Sequence, residues 1–297
     1  MEFADNQPTM LADPTVIFLH IGKTGGTSLR QVLRRNYRTA DTLLVGTPER
    51  VREETLNEFA ALSEPARERP RLLFGHTVFG LHEYVPRPST YITLIRKPQS
   101  LVLSQYRFVL RRPGHRLYQQ IVSANMGLED YIRSGISLEM DNSQTRAVSG
   151  DLSTPYGECT DEMLKIAKRN IEKDFAVVGI TERFDETLIL MQKTLGWSKL
   201  HYVRANVAPS SQPLEVSDEA RRLIAEHNRL DNQLYEYVGA RFDEAIARYP
   251  SFPDDLARFQ KGNVLYGPWG TVTRLGGGLA SRVGLKRPPP RSRAPSP

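Results

Sequence analysis

Residues 20–28 read His-Ile-Gly-Lys-Thr-Gly-Gly-Thr-Ser, and they follow the apolar run Thr-Val-Ile-Phe-Leu. A short apolar segment that stops at a glycine, a lysine, two more glycines and three hydroxyls has the parts of an anion cradle. Gly25 and Gly26 let backbone N–H groups approach a ligand closely, and a helix beginning here adds its partial positive end. Lys23 contributes a full charge, and Thr24, Thr27 and Ser28 contribute hydroxyl donors. A plain Gly-rich turn bearing a surface lysine is the other reading of the same residues. A Walker A loop needs G-x-x-x-x-G-K-[ST]. Gly22-Lys23-Thr24 supplies its end, but position 17, where its first glycine belongs, is Ile17. A second apolar run, Tyr-Ile-Thr-Leu-Ile (91–95), ends in Arg96-Lys97 rather than in a carboxylate. A positive pair suits a further phosphate and repels Mg²⁺. The two segments together call for an anionic ligand held without a metal.

The elements that must position these residues alternate. Strands are predicted at 15–20, 71–76, 90–96 and 175–180 from their short β-branched and aromatic runs. Helices are predicted at 27–37, 49–62, 98–111 (opened by Pro98), 160–173 and 182–197 (stopped by Gly196), with two short ones within 128–149 and one long or broken helix over 216–247. The expectation is an α/β fold: a P-loop-like doubly wound parallel sheet flanked by helices. Ligands on such sheets bind beyond the carboxyl ends of the strands, which is where His20–Gly26, Gly75-His76 and Arg96–Pro98 fall.

Composition sets the frame. The 297 residues are 39% hydrophobic and 25% charged, enough for one large core. No apolar run approaches the roughly 18 to 20 residues of a membrane span. The N-terminus has neither a basic start nor an apolar stretch. Cys159 is the sole cysteine, so neither an internal disulfide nor a cysteine zinc site is available. The expectation is a soluble, cytoplasmic protein. The net charge of +6 is uneven: Lys261–Pro297 holds seven basic residues and no acidic one, so subtracting them leaves the first 260 residues at −1. The excess therefore sits at the C-terminus, and a nucleic-acid-binding fold is not indicated. The organisation expected is an N-terminal extension (1–14), one catalytic domain (15–260) and a basic, Gly/Pro-rich disordered tail (261–297). That tail is either a solvated extension or a weak contact to an anionic surface.

These segments resemble the carbohydrate sulfotransferases. "IFLHIGKTGGTSL" is similar to that family's 5′-phosphosulfate loop, and "YITLIRKPQSLVLSQY" to its 3′-phosphate motif, an Arg followed by Pro and, eight residues on, by Ser: Arg96, Pro98 and Ser104. "FGHTVFGLHEY" is similar to its Gly-His segment and "DNSQTRAVSG" to its Asn-x-Gln-x-Arg helix. "VVGITERFDETL" and "DNQLYEYV" also look like family blocks. The two cofactor motifs lie about 75 residues apart, and the likeness runs in order from about 15 to 245. It points to the heparan-sulfate 2-O and 6-O type enzymes and their bacterial, soluble relatives. Gly22 stands where the family has Pro, and Lys97 where it has an acidic residue.

The resemblance implies transfer of a sulfuryl group from 3′-phosphoadenosine 5′-phosphosulfate (PAPS) to a hydroxyl of a carbohydrate or glycolipid, by in-line displacement and without a metal. It implies that Lys23 stabilises charge on the bridging oxygen and that Thr24, Gly25, Gly26, Thr27 and Ser28 hold the phosphosulfate. Arg96 and Ser104 are then the holders of the 3′-phosphate, and His76 is the general base. His82 is the rival base or an acceptor contact, and Arg146 either meets an anionic acceptor or is a solvated helix arginine. His20 is expected to fix the loop through a backbone bond, Glu182 and Arg183 to cap a helix, and Arg204 and Asn206 to offer loop donors. Two alternatives remain: a P-loop nucleotide kinase, which needs the missing Walker A glycine and a Mg²⁺ carboxylate, and a non-catalytic nucleotide- or glycan-binding module.

Overall fold

The computed structural model describes residues 13–46, 52–203 and 215–282, with side chains described at 13–46, 54–203 and 215–267. Five strands form one parallel sheet: β1 (Thr15–Leu19), β2 (Thr42–Val45), β3 (Leu72–Gly75), β4 (Ser89–Ile95) and β5 (Phe175–Ile180), in the order β2-β3-β1-β4-β5. β1 is central, with Ile17 opposite Leu73 on one side and Tyr91 on the other. All five of its residues are buried, as expected of a strand covered by helices on both faces. The helices are α1 (Gly26–Asn36), α2 (Arg52–Ala60), α3 (Glu64–Glu68), α4 (Pro98–Leu110), α5 (Tyr118–Ser123), α6 (Leu128–Arg133), α7 (Ser143–Ser149), α8 (Asp161–Asp174), α9 (Phe184–Leu195), α10 (Asp218–His227), α11 (Arg229–Ala247) and α12 (Phe252–Arg282).

The doubly wound parallel sheet is thus as expected. The chain steps outward from β1 to β2, returns through β3, then crosses to β4 on the other side of β1. That reversal opens a crevice at the carboxyl end of β1. Hydroxyls tie the strand ends together across it: Thr93 Oγ1 donates to Leu19 O at 2.7 Å and Thr77 Oγ1 to Phe18 O at 2.5 Å. Leu29, Val32 and Leu33 of α1 pack on the sheet, the face read from their spacing.

Three differences, and one choice between alternatives, carry a physical reason. β2 is a four-residue edge strand with Leu44 63% exposed, too short and too polar in its surroundings to announce itself. Leu62 lies beyond α2 and is 38% exposed, whereas Leu56 and Phe59 are buried; Val51 lies outside the described residues. Of the long or broken helix expected over 216–247 the structure has the broken form, interrupted at Asn228, whose side chain donates to Met140 O and Ile224 O. Finally, α12 continues through 261–282, where the tail was expected to start. Phe252 and Phe259 are buried, and Asn263 Oδ1 accepts from Tyr202 N at 2.8 Å. Gly262 lets α12 lie against His201: a Cβ there would stand 2.6 Å from Nε2. Residues 283–297 lie outside the described residues.

Candidate active site

The loop after β1 turns by two left-handed residues, Lys23 (φ 64°) and Gly25 (φ 92°). A non-glycine residue held at positive φ marks strain retained at a working site. Gly25 O accepts the first helical bonds of α1, from Ser28 N at 2.9 Å and Leu29 N at 3.2 Å. The N–H groups at the start of a helix have no partner inside it and point out of its end. Gly25, Gly26, Thr27 and Ser28 line a cleft of about 1910 Å³ together with Lys23, Arg96 and Ser104. Thr24 differs from expectation. It is fully buried, its hydroxyl donates to Ile21 O at 2.9 Å, and its side chain shapes the loop instead of facing the cleft.

Gly26 has a second reason to be glycine. A Cβ there would stand 2.1 Å from His20 Nε2. His20 does not make the backbone bond expected of it: its Nδ1 is buried without a hydrogen-bond partner. Burial, helped by Arg30, His76 and Lys23, lowers its pKa to about 4, so the ring is neutral at pH 7. It lies 5.8 Å from the His76 ring, centroid to centroid.

Arg96 is held by its backbone. Its N–H donates to Gln144 Oε1 at 2.7 Å, and its carbonyl accepts from Gln144 Nε2 at 2.9 Å. Its Nη1 donates to Lys23 O at 2.9 Å, which joins the two motifs into one site. Glu182 accepts from Lys97 N at 3.1 Å and stands 3.9 Å from Arg96 Nε, so it braces this strand end rather than merely capping a helix. The Thr181 hydroxyl lies 2.7 Å from Thr24 O and 2.9 Å from Ile95 O. Arg183 pairs with Glu186 and Asp243 while also bordering the large cleft.

Gln144 is itself fixed from α11. Asp231 accepts from Gln144 N (3.0 Å) and Thr145 N (2.7 Å), capping α7. In exchange, Asn142 Oδ1 accepts from Leu230 N (2.8 Å) and Asp231 N (3.1 Å), capping α11. Burial raises the Asp231 pKa and the two amide bonds oppose that. The sequence reading missed Gln144 and Asp231 as positioning groups. The "DNSQTR" block was the signal available, but its partner lies 87 residues away.

Lys23 Nζ rests 4.0 Å from the centre of the Phe108 ring. Its pKa falls to about 8, through burial first, then Arg111, Arg112 and Arg96, with Glu139 opposing. Lys23, His20, Gly22, His76, Gln105 and Glu139 also border a smaller chamber of about 270 Å³ whose wall includes Val78, Phe79, Leu138 and Leu152. His76 therefore stands beside the lysine where the two cavities meet.

Of the two remaining residues, His82 departs from expectation and Arg146 meets one of its two alternatives. His82 lines neither cavity; its Nδ1 lies 3.1 Å from the Tyr91 hydroxyl and its ring packs on Phe79. Arg146 is 1% exposed. Its guanidinium donates to Asp141 O, Thr154 O, Pro155 O and the Asp141 carboxylate. It borders the smaller chamber and is not a solvated arginine. Arg204 and Asn206 lie outside the described residues.

Fold and site together define a doubly wound α/β protein with a cleft lined by a glycine-lysine loop and an arginine joined to it. The family of galactose-3-O-sulfotransferases has a model that matches residues 3–251, and the chain belongs to that family. It is 28% identical over 261 residues to human galactose-3-O-sulfotransferase 3, covering 82% of this chain and 59% of the relative. The bovine protein of that name is 29% identical over 252 residues, covering 78% and 58%. Human heparan-sulfate 6-O-sulfotransferase 1 is 26% identical over 279 residues, covering 79% and 67%. The chain thus spans about three-fifths of the length of the galactose-3-O relatives it matches. Among the described residues no helix is long and apolar enough to cross a membrane.

Proposed function

We propose that this chain transfers a sulfuryl group from PAPS to a hydroxyl of a carbohydrate acceptor. The observation that carries the reading is the Arg96 Nη1 bond to Lys23 O, which brings the loop and the 3′-phosphate motif to one cleft. The relatives' names, galactose-3-O- and heparan-sulfate 6-O-sulfotransferase, support the reaction class.

The residues present fit such a donor. Arg96 lines the cleft, and its Nε makes no hydrogen bond, with the Glu182 carboxylate standing off at 3.9 Å; a guanidinium so placed is suited to an anion. The start of α1, Thr27 and Ser28 face the same space. PAPS supplies the sulfuryl group; the chain's part is to hold, orient and neutralise. Lys23 is the charge at the point of transfer, a stabilisation worth on the order of 3 kcal/mol in comparable sites. His76 takes the proton of the acceptor hydroxyl. The acceptor enters through the smaller chamber, where Leu138 and Leu152 are 37% and 39% exposed and offer apolar surface to a sugar face.

Calorimetric titration with adenosine 3′,5′-bisphosphate, beside ATP with Mg²⁺, tests the reading. Tight binding of the bisphosphate and none of ATP is expected. ATP–Mg²⁺ binding in its place would refute it and favour a kinase.

A further inference from the structure

Residues 97–128 hold Lys97, Arg107, Arg111, Arg112 and Arg116 and not one Asp or Glu. Arg111, Arg112, His115 and Arg116 form the connection between α4 and α5 and line the large cleft. The three arginines are exposed, and among the described residues none of them pairs with a carboxylate. Glu139, the carboxylate in the same wall, accepts from Gln105 Nε2 and stands 3.4 Å from Ser137 Oγ. Three guanidiniums with no ion pair of their own repel one another, and an arriving anion relieves them.

Phe108 ties this loop to the reacting lysine. Lys23 Nζ lies 4.0 Å from the ring centre, the Arg112 guanidinium 4.4 Å, and His115 meets the ring edge-on at 5.7 Å. Arg111 and Arg112 contribute to the lowered pKa of Lys23. The loop therefore flanks the point of transfer. It is not placed for the donor's 3′-phosphate: Arg111 lies seven residues past Ser104, about 10 Å along the helix at 1.5 Å per residue.

We propose that the Arg111–Arg116 loop is a subsite for an oxyanion, carboxylate or sulfate, carried by the acceptor glycan next to the sugar that is sulfated. The substrate class is then an acidic carbohydrate. The guanidinium fork matches either anion in bidentate fashion. This inference rests on the sulfotransferase reading for the word acceptor, but the anion site can be tested without turnover.

The full chain loaded with adenosine 3′,5′-bisphosphate is titrated with three oligosaccharides of equal length: an unsulfated alternating glucuronate–N-acetylglucosamine, an O-sulfated galactose oligomer and its neutral counterpart. At least one acidic oligomer is expected to bind about tenfold tighter than the neutral one, with affinity falling as salt rises. Which acidic oligomer binds tells carboxylate from sulfate. The exposed triple variant Arg111→Gln/Arg112→Gln/Arg116→Gln, and Arg116→Gln alone as a milder change, should lose that preference while bisphosphate affinity stays within about twofold. Equal binding of all three oligomers, full acidic binding by the triple variant, or a tenfold loss of bisphosphate affinity would each overturn the subsite. If the wild-type chain binds an acidic oligomer through these arginines but not the bisphosphate, the donor reading falls and the anion subsite stands.

Discussion

Gln144→Leu removes the brace behind Arg96 without touching the cleft. Gln144 is fully buried and makes two hydrogen bonds to one residue, 2.7 Å from Arg96 N and 2.9 Å to Arg96 O. Leucine is of similar volume but leaves that N–H and that carbonyl without partners. An orphaned buried polar group costs about 1–3 kcal/mol. With two orphans, and a small offset from the added apolar burial, a loss of about 2–4 kcal/mol is expected. For a chain of this size that corresponds to a fall of roughly 4–8 °C in melting temperature. The guanidinium is aimed by the same backbone, so affinity for adenosine 3′,5′-bisphosphate should fall about tenfold. Calorimetry at 15 °C, where both proteins are folded, separates aiming from stability. Ile132→Val, in the second core cluster, costs about 1 kcal/mol and should leave affinity unchanged. If Gln144→Leu melts as the wild type does, or is destabilised yet binds the bisphosphate equally well, the positioning argument is wrong.

Four further outcomes are expected. Lys23, with a pKa of about 8, is pushed back up by a bound anion. Bisphosphate affinity should therefore fall as pH rises past 8, by up to about tenfold per unit, and Lys23→Arg should remove that slope. His20 has a native pKa of about 4 against 6.5 unfolded. Below pH 6.5 the unfolded chain takes up a proton the native state refuses, so stability drops by about 3 kcal/mol between pH 6.5 and 4; urea titrations should find this share missing in His20→Asn. Gly26→Ala places a Cβ 2.1 Å from a half-buried imidazole and should cost about 1–3 kcal/mol in a thermal melt. Lys23→Ala and His76→Ala should each lower turnover by at least about 100-fold, with melting temperatures close to the wild type.

The sheet was readable because its inner strands β1, β3 and β4 are largely buried on both faces, and such strands are predominantly apolar: Val16–Leu19 and Tyr91–Ile95 show it directly. The loop was readable because its parts are consecutive. What was not readable depends on distant partners. Arg146 has the sequence neighbourhood of any surface helix arginine, and only the carbonyls of Thr154 and Pro155 and the buried Asp141 make it an interior group. Thr24 looks like a ligand hydroxyl until the turn brings Ile21 O to it. His82 and His76 sit six residues apart and look interchangeable, yet the 3₁₀ turn Leu81–Tyr84 carries His82 onto Tyr91 and away from the cleft.

The two sides of the site are built differently, and that difference bears on what can vary. On the donor side, each group is fixed by a buried polar relay. Asp231 holds Gln144, Gln144 holds Arg96, and Arg96 holds the Lys23 carbonyl. A change at any link leaves another buried group unsatisfied, at a cost of about 1–3 kcal/mol, so the relay tolerates little. On the acceptor side, Leu138, Leu152 and the arginines of the Arg111–Arg116 connection are exposed. Substitutions there change the surface offered to a sugar and cost the fold within about 0.5 kcal/mol. In the proposed reaction the relay thus keeps the donor groups fixed while the surface offered to the acceptor can vary. The identity of the acceptor is therefore to be sought in the loops around Phe108 and Leu138, not in the strand ends.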